Sequence, residues 1–348
     1  METFFIVLLA FVPLAIWAHV LGSPSTLVFF LAALAIIPLA KFIGEGTEEL
    51  SARTSPVLGG LLGATFGNAV ELIIGIFALH AGLFEVVKAS ITGSIIGNIL
   101  LVLGTAMLLG GARREKQVFN KTGALAGAST LFLATIALVM PAIFLQTAPN
   151  VSASVVENLS IVVSVGLVIM YAAGLFFSLK THKHLFTENL GDFTPHWSKT
   201  KSILVLFFAT IATAVMSDIL VGAITPLTQQ LHWSQLFIGV IVIALIGNIA
   251  EHYSAVMLAV KNRMDTVLQI SIGSATQIAM LVAPFLVLVS ILIHKPMNLV
   301  FNIFELVSIV LAVLIVNVMV ADGESNWLEG AQLVVAYLIV AVAFFFHP

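Results

Sequence analysis

Long apolar runs alternate with short polar stretches from one end of the chain to the other. A helix needs about 20 apolar residues to cross the hydrocarbon core of a bilayer. By that measure the pattern predicts eleven spans, over 4–20, 27–47, 56–80, 84–110, 122–145, 154–179, 201–222, 234–260, 265–293, 299–320 and 328–347. Several are longer than a crossing requires, which predicts tilt or a break. The first run is kept as a span rather than a signal peptide, because Met1-Glu2-Thr3 carries no Lys or Arg. The predicted class is an all-α polytopic membrane protein.

Composition agrees and narrows the function. Of 348 residues, 60% are hydrophobic and only 9% charged. A soluble domain is about one-quarter charged, so a soluble enzyme, a nucleic-acid binder and a disordered scaffold are all excluded. The net charge of −3 is too small to indicate partners. The absence of cysteine excludes disulfides, thiolate chemistry and Cys-ligated zinc. The 25 Phe and 4 Trp suit lipid contact, and the 25 Gly suit close helix packing.

Charge placement tests the span count. With the connections assigned alternately to two sides, one side receives Lys41, Arg53, Arg113, Arg114, Lys116, Lys121, Lys180, Lys183, Lys199, Lys201, Lys261 and Arg263. The other receives Lys88 and Lys295. Positive residues concentrate on the cytoplasmic side, so the N-terminus is expected in the cytoplasm and the C-terminus outside. A wrong count in the middle of the chain would scramble this bias.

A repeat sets the architecture. Gly67-Asn68-Ala69-Val70-Glu71 recurs 180 residues later as Gly247-Asn248-Ile249-Ala250-Glu251, and Gly93-Ser94 recurs at the same offset as Gly273-Ser274. The bland reading, two unrelated glycine-rich helices, does not account for the constant spacing. The copies fall in spans 3 and 8, separated by an odd number of crossings, so they thread the membrane in opposite directions. Inverted repeats of this kind underlie many secondary transporters, with the ion site near the bilayer midplane. The expected plan is a leading helix (1–22), a five-helix repeat (23–180), a cytoplasmic loop (181–200) and a second, inverted five-helix repeat (201–348).

Both motifs carry an acid deep in a span. Glu71 and Glu251 lie far along the sequence from any compensating cation, and a carboxylate at such depth costs at least about 2.5 kcal/mol. A lone buried acid reads as packing; two at repeat-related places read as an ion site. Asn68 and Asn248 each share a helix face with their glutamate three residues on. Gly67 and Gly247 lie one turn before it, where glycine weakens the helix and can free a backbone carbonyl. Ser94 and Ser274 offer hydroxyls, and Asn98 and Gln277 offer amides. Carboxylate, carbonyl, amide and hydroxyl oxygens make a donor set for a hard cation and suit calcium. Zinc and copper are disfavoured, since the spans contain no paired-His pattern.

The stretches GNAVELIIGIFAL (67–79) and GNIAEHYSAVMLAVKNRMD (247–265), with IPLAKFIGEGTEELS (37–51) and ISIGSATQIAMLVAP (270–284), resemble the signature repeats of Ca2+/H+ antiporters. This is the CAX branch of the cation/Ca2+ exchanger superfamily. The resemblance implies that Glu71 and Glu251 bind Ca2+ and exchange it for protons. It implies that the Gly67 and Gly247 carbonyls complete the inner shell, and that Asn68, Asn248, Ser94 and Ser274 hold bound water or touch the ion weakly. Two features depart from some family members. The loop between the halves is short, with only Glu188 and Asp192 as acids, and there is no long N-terminal arm.

Other polar residues carry less. Glu48 and Glu49 end span 2 on the cytoplasmic side and Asp218 ends span 7 on the outer side, as candidate mouth acids or as ordinary interfacial groups. Glu305 is placed about two turns into span 10, with packing and proton access both open. His252 adjoins Glu251 but points to another helix face. His182, His184 and His196 suggest a metal or pH cluster, although solvated loop histidines are commoner. The expected activity is Ca2+ exchange for H+ by alternating access, in a prokaryotic plasma membrane. Ca2+ is substrate rather than cofactor, and a homo-oligomer is left open. The rival readings are a Na+/Ca2+ exchanger of the same fold and an intramembrane hydrolase. Asn and Gly around the glutamates, in place of Ser, Thr and Pro, favour protons over sodium. The hydrolase lacks Cys, HExxH and a GxSxG at a span end.

Overall fold

The computed structural model describes residues 2–182 and 195–347. Helix dominates them, as an apolar phase requires: with no water to pair backbone N–H and C=O groups, each segment must satisfy its own. In chain order the helices are α1 (Phe4–Val20), α2 (Ser25–Ser51), α3 (Pro56–Phe66), α4 (Ala69–His80), α5 (Phe84–Gly111), α6 (Lys121–Thr147) and α7 (Ala153–Thr181). There follow α8 (Lys199–Leu231), α9 (Gln235–Gly247), α10 (Ile249–Val260), α11 (Met264–Leu292), α12 (Ile303–Met319) and α13 (Trp327–Phe346). Polar residues mark several starts. Asn120, Ser198 and Ser234 accept the backbone N–H of Gly123, Lys201 and Phe237 at 3.0–3.1 Å, heading α6, α8 and α9.

A helical stretch stands at each of the eleven predicted segments. Among the described residues, α2, α5, α6, α7, α8, α11 and α13 are long and apolar enough to cross a membrane. The bent pair α9–α10 adds one more, while α1, α4 and α12 are apolar but shorter. The chain is an all-helical integral membrane protein. The exceptions to helix are β1 (Gln117–Val118) and β2 (Glu324–Ser325), paired antiparallel with Gln117 opposite Ser325.

Four spans differ from the hydropathy reading. The predicted spans 56–80 and 234–260 are each broken inside the motif, at 67–68 and at Asn248. The Asn68 backbone (φ −114°, ψ 30°) and that of Asn248 (φ −83°, ψ 3°) leave the helical range. Helix α8 runs to Leu231, well past residue 222. Helix α12 begins only at Ile303, because 299–302 is non-helical and anchored from elsewhere: the Leu299 N–H donates to the Ser160 hydroxyl at 3.0 Å.

The described residues form two compact units, each drawing on both halves of the sequence. The first comprises 2–90 and 195–250; the second comprises 91–182 and 251–346. In the first, α2 and α8 lie side by side and antiparallel. A methyl placed on Gly46 would sit 3.4 Å from Leu206 Cβ and from the Ser202 carbonyl oxygen, and at the other end the Thr26 hydroxyl meets Gln230. In the second, a methyl on Gly104 of α5 would lie 2.8 Å from Leu333 Cβ of α13, the close approach that small residues permit between membrane helices.

Three connections of the second unit are knitted together. Besides the β1–β2 pairing, Arg114 donates to the Gly110 and Val260 carbonyls at 2.7 and 2.8 Å. Gln117 donates to the Ala259 carbonyl and to Asn262 Oδ1, both at 2.9 Å. Asp265 accepts the Asn120 N–H at 2.6 Å, and Lys116 pairs with Glu324 at 2.7 Å. These are connections that the charge bias assigns to one face of the membrane.

Candidate cation site

Each unit holds part of the predicted donor set. In the first, the break before α4 leaves Asn68 at the helix start, buried, with Glu71 in the first turn. Carboxylates are favourable there because the free N–H groups and the helix dipole place positive potential at that end. The break before α10 puts Glu251 in the first turn of its helix in the same way. A single helix through either motif would lack that end; sequence spacing alone does not show it.

The Glu71 carboxylate lies against the backbone of the other motif. A methyl built on Gly247 would fall 2.7 Å from Glu71 Oε1 and 3.3 Å from its Cδ. Gly247 therefore has no side chain for a positive reason: the glutamate occupies that space. Asn248, at the end of α9, is buried at 3% exposure.

In the second unit, Glu251 sits at the end of a hydrogen-bond chain. The buried Asn98 amide donates from Nδ2 to the Ser274 hydroxyl at 3.0 Å, and that hydroxyl donates to Glu251 Oε1 at 2.8 Å. Because the one hydroxyl hydrogen points at the carboxylate, Ser274 is fixed as acceptor from Asn98 and donor to Glu251. Asn98 Oδ1 is buried with no hydrogen-bond partner among the described residues, an oxygen available to water or a cation. Ser94 is buried at 1% exposure on the same helix. Helix α5 carries a π-helical turn at Gly97–Val102, and α11 carries one at Ile278–Val282, the repeat-related place. Such turns are rare and tend to occur at functional positions. Gln277 borders the second of them.

The remaining candidates fare differently. His252 faces Thr105, with Nε2 3.0 Å from Oγ1; Ser94, Asn98 and Thr105 follow one another at helical spacing, a signal present in the sequence. Glu49 is buried and accepts the N–H groups of His196 and Trp197, each at 3.0 Å. Beside it Arg53 donates to the carbonyls of Pro195, at 3.4 Å, and of Trp197. Glu49 thus ties down the start of α8, while Glu48 is exposed. Asp218 lies well inside α8 rather than at its end. Glu305 is not two turns into a span: it sits in the first turn of α12, where its Oε2 accepts the Asn302 N–H at 2.8 Å in a capping box and its Oε1 accepts from the buried Thr92 at 3.0 Å. His182 stacks on Phe177 with ring centres 4.0 Å apart. His184 lies outside the described residues, and no group of three metal-binding side chains occurs among the rest.

Apolar helices broken at two repeated acidic motifs are a feature of membrane transporters of ions. The chain matches the sodium/calcium exchanger protein family over residues 24–180 and 201–346. It is 47% identical to a Ca(2+)/H(+) antiporter of Synechocystis, covering 99% of this chain and 97% of that one. It is 45% identical to the Ca(2+)/H(+) antiporter ChaA of Bacillus subtilis, covering 98% of each. Among solved structures, native YfkE superposes with a TM-score of 0.88 at 42% identity, over 99% of this chain and 100% of that one. The chain belongs to the sodium/calcium exchanger protein family, in its Ca2+/H+ antiporter branch. It is a transporter, not an enzyme.

Proposed function

We propose that the protein exchanges Ca2+ for H+ across a membrane by alternating access, with Glu71 and Glu251 as the exchanging carboxylates. The observation that carries the site assignment is the Glu71 carboxylate resting on Gly247, the glycine of the other motif. Relatives at 45–47% identity whose names state Ca2+/H+ antiport support the cargo. Around the two acids, the Gly67 and Gly247 carbonyls, the Asn68 and Asn248 amides and the Ser94 and Ser274 hydroxyls complete a hard-oxygen set suited to calcium.

The coupling follows from charge. Two ionised glutamates are neutralised by one Ca2+ or by two protons. The empty, doubly charged site is the expensive one to seal from water, so the protein changes conformation with one cargo or the other and seldom with neither. Each pH unit of gradient supplies about 1.36 kcal/mol per proton. Antiparallel helices α2 and α8 move against the remainder of the protein around the site.

Eleven crossings, arranged as a leading helix and two inverted five-helix repeats, with the N-terminus cytoplasmic, fit both the charge bias and the knitted connections of the second unit. In a bacterial plasma membrane, as the bacterial relatives suggest, inward proton flow would drive Ca2+ efflux. Flux in proteoliposomes tests the reading. A pH jump without sodium should drive 45Ca2+ uptake, and Glu71→Gln or Glu251→Gln should abolish it while the protein remains folded. Strict sodium dependence would overturn the proton coupling, and full transport in both variants would overturn the site.

A further inference from the structure

The exposed face of α8 changes character partway along. Residues 204, 208, 211, 215, 218, 222, 225 and 229 are all exposed and recur at alternating steps of four and three, so they form one stripe, with the exposed Phe207 beside it. Up to Val215 that stripe is apolar: Leu204, Phe207, Phe208, Ile211 and Val215 are 44–62% exposed, as lipid contact requires. From there it reads Asp218, Gly222, Thr225 and Gln229, with no apolar side chain. The buried faces of the same helix stay apolar beyond this point, through Ile219, Leu220, Ile224 and Leu227.

The polar stretch begins deep. Asp218 is nine residues before Leu227, the last apolar residue of the run, or about 14 Å at helical rise. A carboxylate facing lipid at that depth is strongly disfavoured and faces water instead. It makes no hydrogen bond or ion pair among the described residues, so its charge is not spent on holding the fold. Two turns on, Pro226 has no N–H to give the Gly222 carbonyl, whose usual donor is thereby missing. A methyl on Gly222 would meet nothing within 4 Å, so the exposed face of the helix is open at this position.

We infer that the outer half of α8 lines an aqueous approach, and that Asp218, with the Gly222 carbonyl one turn above it, is a waiting position for a hydrated divalent cation. The inference rests on the proposed membrane orientation for its sidedness, but not for its existence. In the reverse mode of exchange the acid draws the divalent ion from the outer solution, in efflux it receives the departing ion, and the freed carbonyl supplies a second oxygen. Neither belongs to the exchange pair itself.

The chain has no cysteine, which makes the test direct. Asp218→Cys, Gly222→Cys, Thr225→Cys, Ile211→Cys and Val215→Cys are made singly and exposed to a charged, membrane-impermeant thiol reagent in oriented vesicles. Labelling at 218, 222 and 225 from the outer face, with 211 and 215 unreactive, is the expected result. Reactivity at 218 and 222 as low as at 211 and 215 would overturn the aqueous path, whatever the protein transports. Asp218→Asn should then raise the KM for Ca2+ at the outer face about five-fold, the scale of one exposed charge acting on a divalent ion, and leave the inner KM unchanged. An unchanged KM on both faces, or an equal rise on both, would overturn the waiting position. Wild-type flux run in parallel separates this from failure of the exchange reading.

Discussion

Replacing Gly247 by Ala should weaken the use of Ca2+ in transport without harming the fold. The methyl would fall 2.7 Å from Glu71 Oε1 and 3.3 Å from its Cδ, while ordinary van der Waals contact begins near 3.4 Å, so the carboxylate must retreat by about 0.7 Å. Ca2+–oxygen bonds span only about 2.3–2.6 Å, so a retreat of that size takes the oxygen out of the coordination shell. Losing one charged ligand of a divalent ion costs on the order of 2–3 kcal/mol, or about 30- to 150-fold in affinity. The backbone gives the opposite sign: Gly247 is helical at the end of α9, where Ala is favoured over Gly by about 0.5–1 kcal/mol. Thermal unfolding in detergent should therefore show an unchanged or raised Tm, while 45Ca2+ flux shows the KM raised by at least ten-fold. Gly63→Ala is the control, because a methyl there meets nothing within 4 Å, and it should transport normally. A Gly247→Ala protein with wild-type KM would refute the idea that the Glu71 carboxylate works where the structure has it.

Further substitutions separate the other arrangements. Ser274→Ala removes the hydroxyl between Asn98 and Glu251; a hydrogen bond to a charged group is worth about 1.5–3 kcal/mol, so isothermal titration should show Ca2+ binding weakened by roughly 10- to 100-fold with the Tm little changed. Glu49→Ala leaves the His196 and Trp197 N–H groups without their acceptor; it should lower stability by about 1–3 kcal/mol and speed proteolytic cleavage near residue 196, whereas an unaltered digestion rate would deny the clamp. Asn302→Ala removes the cap of α12 and should cost about 1 kcal/mol, read as a lower Tm, while leaving the Ca2+ KM unaffected.

The sequence exposed what depends on composition and on short-range periodicity. Apolar length marked a helical stretch at every predicted span, and two copies of G-N-x-x-E marked Glu71 and Glu251. What it hid depends on contacts between distant segments, or on departures from helix that hydropathy cannot register. Residues 299–302 are as apolar as a helix start, so the window ran through them, yet the Leu299 N–H is given to the Ser160 hydroxyl and the stretch is non-helical. That shifted Glu305 in the reading from a first-turn cap to a mid-span acid, although Asn302 three residues before Glu305 is a capping-box spacing visible in the sequence. Glu49 read as a mouth acid because its partners, the N–H groups of 196 and 197, lie almost 150 residues away. Gly247 read as a helix weakener; its second role, making room for a carboxylate 176 residues earlier, leaves no mark on local spacing.

The residues around the two motif glutamates are not copied position for position. Ser274 is steadied by Asn98, and the residue at the repeat-related place 180 positions on from Asn98 is Ile278. An isoleucine side chain has no N–H to donate, so that position offers Ser94 no side-chain amide like the one Asn98 offers Ser274. Glu251 receives an oriented hydroxyl backed by an amide, and Glu71 lies against the glycine of the other motif. An oriented donor stabilises a carboxylate in one rotamer, while a glycine surface limits its position and leaves its charge to a cation or a proton. If this asymmetry matters, Ile278→Asn should make the halves more alike and bring the effects of Glu71→Asp and Glu251→Asp on Ca2+ KM closer together. With Ile278 in place, Glu251→Asp should be the more damaging, because the shortened side chain moves away from a fixed hydroxyl. Equal damage from the two Asp variants in the wild-type background would mean that the extra amide has no bearing on exchange.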